Sequence, residues 1–379
     1  MTTVVERHLT GPATHAFVVG VSHYRHLPGG SGPVSEIAET MELQQVDMPA
    51  LSAVAFAAWL NEEYNNSDAP LASIEMLVSS SSPVHFPAGG EGQAVEGATL
   101  SAVREAFSRW YKRCDSDEKN VAIFYFCGHG FARNSTFLLL EDWAAYEETP
   151  MHESIDLDRF HRGMGQCRSK TQLYFADACR SVDYTLTTTV TDSGTPLIQP
   201  NDMRNRPGRS APVFYAAGDG QKAFGIPGQQ TYFTKVLLMA LRGAAAGTWH
   251  TPPSDGWCVD TYRLGETIAQ LLQRETPLQT GQTDGFSLSY CLTRLGSKPI
   301  IPVGVECAPP PASEYATLKL QSPNQVFERP PEPGTWRITA PMDNYQLSAS
   351  FIDNRYPAYT REVPILPPYT DCTIPAGQA

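Results

Sequence analysis

The chain has no uninterrupted run of about 18 apolar residues, the length that a membrane-spanning helix needs, so we expect no transmembrane segment. Its first residues, Met1 to Arg7, are not followed by the apolar stretch of a secretory signal peptide. None of the eight cysteines forms a C-x-x-C pair, and no histidine lies near them at zinc-finger spacing. We therefore expect no structural zinc, reduced thiols and a cytoplasmic location.

Basic residues are also scarce: 28 Lys and Arg stand against 40 Asp and Glu, and the formal charge is −12. Such a balance argues against non-specific nucleic-acid binding, which needs clustered cations. The sequence has neither a P-loop nor a G-x-S-x-G motif, so two common catalytic classes are not indicated. With 379 residues, of which 41% are hydrophobic, the chain is typical of a globular protein of about two domains.

Apolar runs with strand character alternate with segments of helical periodicity in the first three quarters of the chain. The predicted strands are 17–21, 74–78, 121–126, 171–176 and 213–217, and the predicted helices are 48–64, 99–113, 156–167, 232–242 and 262–274. In the helix at 48–64, the periodic apolar residues are Leu51, Val54, Ala55, Ala58 and Trp59. This alternation predicts an α/β fold with a mostly parallel sheet that is covered on both faces.

The composition changes at Lys298, after which proline is frequent and the strand-like runs 317–320, 335–339 and 345–351 appear. We therefore predict one α/β domain over residues 1–297 and a small Pro-rich β-type extension over residues 298–379. Within the first domain, residues 181–210 are polar and lack periodicity, which is typical of a flexible linker with a functional role.

Two chemically active side chains follow two of the predicted strands. His129 lies in Gly128-His129-Gly130 after the strand 121–126, and Cys179 follows the strand 171–176. Because the carboxyl ends of parallel strands meet at one edge of a sheet, a thiol and an imidazole can come together there. A neighbouring imidazole can take the proton of a thiol and so make it a nucleophile. The alternatives are a satisfied core histidine and a buried structural thiol.

These motifs resemble those of the caspase-like cysteine peptidases, which include caspases, metacaspases and bacterial relatives. Gly128-His129-Gly130 is similar to the histidine motif of that family, and Asp177-Ala178-Cys179 to its cysteine motif, 50 positions from the histidine. The segments 17–28 and 213–221 are similar to the family's first strand and to the strand after the cysteine. The resemblance extends over residues 15–295 and implies a three-layer α/β/α sandwich.

The resemblance implies a cysteine endopeptidase that forms an acyl-enzyme. Cys179 would be the nucleophile, and His129 the general base and then the general acid. The backbone N–H groups of Gly130 and Cys179 would form the oxyanion hole. We identify no third member of the catalytic group, and the family generally works with a dyad.

Substrate preference is indicated by the residues near the cysteine. Metacaspase-like relatives place aspartates at the positions of Asp177 and Asp219, where they line the S1 pocket and bind Arg or Lys of the substrate. The alternatives are that Asp177 caps a turn and that Asp219 is a solvated loop residue. If Arg25 and Arg180 pointed into S1 instead, the enzyme would cleave after Asp, as a caspase does.

Regulation is indicated less directly. The linker offers Arg204, Arg206 and Arg209 as sites of self-cleavage in a zymogen, or as plain solvated charges. No cofactor is required by the sequence, although family analogy makes calcium a possibility. The candidate oxygen ligands near the site are Glu141 and Asp142, and another acidic run consists of Asp115, Asp117 and Glu118. Too few carboxylates lie together to define a calcium cage, so an acidic surface is the better interpretation.

We thus expect protein or peptide substrates, cleavage after Arg or Lys, a possible regulatory partner, and no nucleic acid or membrane as partners. Defence against phage is a family analogy alone. An alternative of another class is an inactive caspase-like scaffold that recruits partners through residues 300–379.

Overall fold

A computed structural model describes residues 2–87, 92–181, 193–251, 254–285 and 289–377. The chain divides into two compact units. The first comprises Met1–Leu238 and Leu272–Tyr290, and the second comprises Met239–Leu271 and Cys291–Ala379. This division differs from the predicted boundary at residue 298. The reason is that the strands at residues 246–251 and 254–260 pair with each other, and the second of them pairs with the strand at residues 291–295, which the sequence does not indicate.

The first unit is built on a seven-stranded sheet, in the spatial order β1-β3-β2-β6-β10-β11-β14. Its strands are β1 (Thr3–Glu6), β2 (Thr14–Val21), β3 (Leu71–Ser79), β6 (Val121–Cys127), β10 (Thr171–Asp177), β11 (Val213–Tyr215) and β14 (Gln282–Asp284). The five inner strands are parallel, and the edge strands β1 and β14 are antiparallel to their neighbours. The predicted α/β class with a mostly parallel sheet is confirmed.

Helices cover both faces of this sheet because successive side chains of a strand point to opposite faces. The helices of the first unit are α1 (Glu36–Thr40), α2 (Met48–Glu62), α3 (Leu100–Cys114), α4 (Leu157–Gly163) and α5 (Tyr232–Met239). A further helix, α6 (Thr261–Glu275), begins in the second unit, which includes its residues up to Leu271. On one face, Phe124 of β6 packs against Phe160 of α4. On the other face, Tyr125 stacks on Phe56 of α2 at 4.5 Å between ring centroids.

The remaining strands form small antiparallel or mixed sheets. In the first unit these are β4 (His85–Phe86) with β5 (Gln93–Ala94), and β7 (Gly130–Ala132), β8 (Thr136–Leu139) and β9 (Ser154–Asp156). In the second unit they are β12 (Ala246–Thr251), β13 (Ser254–Asp260) and β15 (Cys291–Leu295); β16 (Ile300–Ala308), β19 (Trp336–Pro341) and β22 (Thr370–Pro375); and β17 (Ala316–Gln321), β18 (Val326–Arg329), β20 (Asn344–Phe351) and β21 (Tyr359–Pro364). The strand-like runs predicted after Lys298 therefore correspond to β17, β19 and β20.

Several element ends differ from the sequence-based prediction. The helix predicted to reach residue 167 ends at Gly163 and continues as a 3₁₀ turn, Met164–Gln166. The helix predicted to reach residue 242 ends at Met239 and continues as a wider π-type turn, Ala240–Ala244. The strand predicted over 213–217 ends at Tyr215. Among the described residues, none of the helices is both long and apolar enough to cross a lipid bilayer.

Candidate active site

The carboxyl ends of β6 and β10 bring the histidine and cysteine motifs side by side. In the parallel pairing, Cys127 lies opposite Asp177, and the N–H of Gly128 donates to the Asp177 carbonyl at 3.2 Å. A Cβ on Gly130 would lie 2.9 Å from Cβ of Ala178 and 3.1 Å from the carbonyl oxygen of Cys179. The backbones of the two loops therefore approach closely, and the loops are in contact.

The His129 imidazole is oriented by main-chain groups and by a buried tyrosine. Its Nε2 lies 2.7 Å from the carbonyl oxygen of Gln44, and its backbone N–H donates to the Tyr24 hydroxyl at 2.7 Å. Because a carbonyl only accepts, Nε2 carries a proton and the lone pair of the neutral ring is on Nδ1. Burial lowers the pKa of His129, and the Gln44 carbonyl opposes this effect only in part. The ring is therefore neutral near pH 7, as a general base must be.

The side chain of Gln45 fixes the loop that supplies this carbonyl. Its Oε1 accepts the N–H of Tyr24 at 2.8 Å, and its Nε2 donates to the carbonyls of Tyr24 at 2.9 Å and Pro28 at 3.2 Å. One amide thus joins the loop after β2 to the segment before α2. Since Tyr24 and Gln44 both hold His129, this amide fixes the position of both supports.

Cys179 is half-buried, and its sulfur contacts the backbone of Ala223. The N–H of Ala223 donates to Sγ at 3.3 Å, and Sγ lies 3.7 Å from the Ala223 carbonyl oxygen. Burial raises the pKa of the Cys179 thiol, although the Ala223 hydrogen bond and the charge of Lys222 oppose this effect. The resting side chain is therefore a thiol, and attack requires removal of its proton. Within the described part of the chain, no hydrogen bond joins Sγ to the imidazole.

Asp177, a predicted S1 residue, is 2% exposed. Its Oδ2 accepts hydrogen bonds from the hydroxyls of Thr234, at 2.7 Å, and Thr231, at the start of α5. Its Oδ1 is buried and has no hydrogen-bond partner within the described residues. Burial raises the pKa of Asp177 despite the hydrogen bonds that Thr231, Thr234 and the Cys127 thiol donate to this carboxyl group.

Asp219, the second predicted S1 residue, lies in a different environment. Its side chain is 72% exposed and forms an ion pair with Arg180, whose guanidinium is nearly buried. Arg180 also donates to Gln282 at 3.1 Å and lies 4.0 Å above the ring of Tyr215. Asp177 and Asp219 therefore share no hydrogen-bond partner, and Asp219 is already neutralised by a residue of the chain.

The charged residues considered for cleavage after Asp and for calcium binding also have partners within the chain. Arg25 forms an ion pair with Glu141 at 2.7 Å, so both arginines that would bind an aspartate are paired with carboxylates. Glu141 also accepts from Ser79, and Asp142 accepts the N–H of Leu100.

The acidic residues near α3 are likewise used within the fold. Asp115 accepts from the N–H of Arg168, Asp117 from that of Lys119, and Glu118 pairs with Lys170. Within the described ranges, no group of three or more metal-ligating side chains could hold a metal ion. These carboxylates do not fit a calcium site.

Part of the predicted linker forms hydrogen bonds with other residues of the first unit. Residues 182–192 lie outside the described residues. Arg209 donates to the carbonyl of His161 and to the Gln172 side chain, both within 3 Å. Arg206 donates to the carbonyl of Gln166 at 3.2 Å but is exposed, and Arg204 is exposed in a short 3₁₀ turn. Of the three predicted self-cleavage sites, Arg209 is therefore the least accessible.

Two residues of this region were not predicted from the sequence. The Gln44 carbonyl gives no signal, because every residue has one. Asp47 directly precedes α2 and accepts the N–H of Gly228 at 2.6 Å. This hydrogen bond joins the segment before α2, which contains Gln44, to the loop that follows Ala223. The position of Asp47 before a Pro-containing helix start was the available signal.

The chain is similar in sequence to known proteins. The family model of the caspase domain matches residues 13–274. An uncharacterized protein, y4kE, of Sinorhizobium fredii is 27% identical over 232 residues, which cover 59% of this chain and 66% of that protein. A probable protease of a Desulfuromonadales bacterium is 25% identical over 212 residues, which cover 52% of this chain and 24% of that protein. The chain thus spans less than two thirds of these curated relatives.

Among solved structures, the crystal structure of caspase-1 from Spodoptera frugiperda is similar, with a TM-score of 0.43 and 12% sequence identity. The match covers 75% of this chain and 90% of that chain.

Proposed function

Since the chain belongs to the caspase domain peptidase family, we propose that it is a cysteine endopeptidase that acts through Cys179 and His129. The observation that carries the proposal is the contact between the loops that follow β6 and β10, together with the Gln44 carbonyl that orients the imidazole. A peptidase of this family acts on proteins or peptides.

The proposed reaction begins when the free Nδ1 of His129 takes the proton of the Cys179 thiol. The sulfur then attacks the scissile carbonyl carbon, and the backbone N–H groups of Gly130 and Cys179 stabilise the oxyanion. The imidazolium next gives its proton to the leaving amine, and water hydrolyses the thioester. Because the resting thiol is hydrogen-bonded to Ala223, substrate binding must bring Sγ and the imidazole into reach.

We further propose that the enzyme cleaves after Arg or Lys. The buried Oδ1 of Asp177 is an acceptor without a donor, which suits a guanidinium or an ammonium. The arginines that cleavage after Asp would require, Arg25 and Arg180, are both paired with carboxylates. Asp219 would contribute to binding only if its ion pair with Arg180 opened.

Self-processing is a proposal that rests on the exposure of the segment around Arg204. Met203 is 96% exposed and Arg204 lies in the same short turn, so the peptide bond after Arg204 is accessible to a second molecule of the enzyme. Cleavage after Arg204 would be consistent with a zymogen. The fragments that result from self-cleavage would identify the peptide bond that is cut.

The test is a panel of fluorogenic peptides that differ only at the residue before the scissile bond, assayed with the wild-type chain and with Cys179→Ala. We expect cleavage of the Arg and Lys peptides by the wild type and none by the variant. Preference for the Asp peptide would support a caspase-type specificity. Activity that persists in Cys179→Ala would contradict the mechanism, and no activity in either protein would support a scaffold role.

A further inference from the structure

Helix α2 has a second apolar face that the central sheet does not use. Its inner face packs on the sheet through buried residues such as Phe56 and Leu60, whereas Leu51 is 44% exposed and Val54 and Ala55 are half-buried. A helix that is apolar on all sides is normally enclosed on all sides. The outer face of α2 therefore has the composition of a surface that binds an apolar partner.

An open pocket of about 810 Å³ lies against this outer face. Its apolar wall consists of Met48, Leu51, Val54, Ala55, Val84 and Pro227. The polar lining residues lie around this wall, and Asp47 is the acidic one; the others are Ser22, His23, Gln45, Ser80, Ser81 and His85. A pocket of this size, in which an apolar wall is joined by a set of polar side chains, is typical of a ligand-binding site.

The position of the pocket along the sheet relates it to the catalytic residues. The strand order β10, β6, β2, β3 places Cys179 first and His129 second. The pocket comes next along the sheet edge, at the ends of β2 and β3, because its lining residues Ser22 and Ser80 directly follow these two strands. Neighbouring strands are separated by about 4.8 Å, so one peptide in extended conformation can reach from the cysteine to the pocket. The strand that carries His129 therefore lies between the strand that carries Cys179 and the two strands that end beside the pocket.

This order determines which part of a substrate reaches the pocket. After attack, the acyl group remains bonded to Sγ of Cys179. The C–N bond breaks, and the nitrogen takes its proton from the His129 imidazolium. The amine therefore departs on the imidazole side, toward β2 and β3.

We infer that this pocket binds the substrate residues that follow the scissile bond, and that it selects a large apolar side chain there. The inference rests on the proposed peptidase function and adds a specificity site to it. Asp47 disfavours an acidic residue in the same segment, because like charges repel.

The experiment uses internally quenched peptides with one constant sequence before the scissile bond and Leu, Phe, Gly or Asp after it. We expect kcat/KM to be at least about tenfold higher for Leu and Phe than for Gly, and lowest for Asp, as expected for discrimination by an apolar pocket. The variant Leu51→Asp places a charge in the pocket and should bring the Leu-to-Gly ratio close to one. Leu9→Asp is a matched control at a residue with 43% exposure, and should keep the wild-type ratio.

A second measurement is the partition of the acyl-enzyme between water and added amines, for which we expect leucinamide to be a better acceptor than glycinamide. Cleavage of all peptides without any preference after the scissile bond would overturn this inference alone. An unchanged Leu-to-Gly ratio in Leu51→Asp would also overturn it. Absence of cleavage of every peptide, with no labelling of Cys179, would overturn the proposed function as well.

Discussion

Gln44 and Gln45 are adjacent in the chain, but they contribute to the site through different atoms. Gln44 supplies its main-chain carbonyl to the imidazole, and Gln45 supplies its side-chain amide to the loop. We predict that Gln45→Ala lowers kcat by about tenfold to a hundredfold, since a small displacement of a catalytic group has an effect of this size. Steady-state kinetics on a cleavable peptide measures the effect.

Gln44→Ala is the matched control, because it keeps the carbonyl and removes an exposed side chain. We expect its kcat to remain within about twofold of the wild type, as for most exposed substitutions. In Gln45→Ala, ¹⁵N NMR of His129 should show loss of the single Nε2–H tautomer. Equal effects of the two substitutions, or an unchanged tautomer in Gln45→Ala, would contradict a positioning role for the Gln45 amide.

The Cys179 thiol provides a prediction on pH. Since burial raises its pKa, the thiolate fraction in the resting enzyme should still be increasing above about pH 8.5, the ordinary midpoint of a cysteine. The rate of iodoacetamide alkylation at Cys179, followed by mass spectrometry against pH, tests this point. A rate that is already constant at mildly acidic pH would instead indicate a resting thiolate–imidazolium pair.

The placement of His129 and Cys179 at the ends of neighbouring strands could be predicted from the sequence, and the groups that contact them could not. His129 and Cys179 stand out because each follows an apolar run and lies in a short motif. The acceptor for Nε2 is a main-chain carbonyl, which leaves no trace in residue type. The ion pair between Arg180 and Asp219 depends on the path of the loop after β11, which no periodicity describes.

Among the elements, the turn between β6 and β7 depends most on the size of one residue. We predict that Gly130→Ala lowers kcat/KM by at least about a hundredfold, because the new methyl group would push apart the loops that carry His129 and Cys179. Gly296→Ala is the control, since nothing lies within 4 Å of a Cβ at that position. Peptide hydrolysis and the circular dichroism melting curve should be measured for both variants. Wild-type activity in Gly130→Ala would contradict the close contact of the loops.

Helix α2 shows how far periodicity predicts an element. The position of the helix follows from the spacing of its apolar residues, and the structure places it at Met48–Glu62. The spacing does not predict which face of the helix packs on the sheet, because Leu51, Val54 and Ala55 of the periodic apolar residues point away from the sheet. When both faces are apolar, the pattern cannot tell the one that meets the core from the one that lines a pocket.

At the scale of the whole molecule, Glu75 anchors the edge of the central sheet. This fully buried carboxylate accepts from Thr2 and Thr3 at 2.7 Å and pairs with Arg109 and Arg113 of α3. Burial alone would raise the pKa of Glu75, but the hydrogen bonds from Thr3, Thr2 and Arg113 outweigh it, and the pKa is lowered. The network therefore joins β1, β3 and α3 through one charge.

A carboxylate with a lowered folded-state pKa stabilises the fold above its unfolded-state pKa, and the contribution is lost as the pH falls through the folded-state value. The free energy of unfolding should thus decrease below about pH 4.3, the ordinary midpoint of a glutamate. We predict that Glu75→Gln reduces it by about 3 kcal/mol near pH 7, as for a broken buried ion pair. The variant should also flatten the acid dependence. Urea unfolding at several pH values tests both points, and an acid dependence identical in variant and wild type would contradict this account of Glu75.

The two compact units of the chain divide it differently from the boundary that the sequence suggests at Lys298. The change of composition at Lys298 marks a real change to β-structure, but the second unit also includes residues 239–271. Its hairpin, β12 and β13, pairs with β15, and such pairing between segments distant in sequence has no local signal. The same holds for β14, a three-residue polar strand at the sheet edge.

The central claim is that Cys179 is a nucleophile that His129 activates, and labelling by a peptidyl electrophile tests it most directly. A peptidyl acyloxymethyl ketone with Arg next to the reactive carbon is incubated with the wild type and with His129→Ala, and the modified residue is identified by mass spectrometry. We predict labelling of Cys179 in the wild type and a rate lower by about 10² or more in the variant, the usual contribution of general base catalysis. Equal rates in both proteins, or labelling only at other cysteines, would contradict the account.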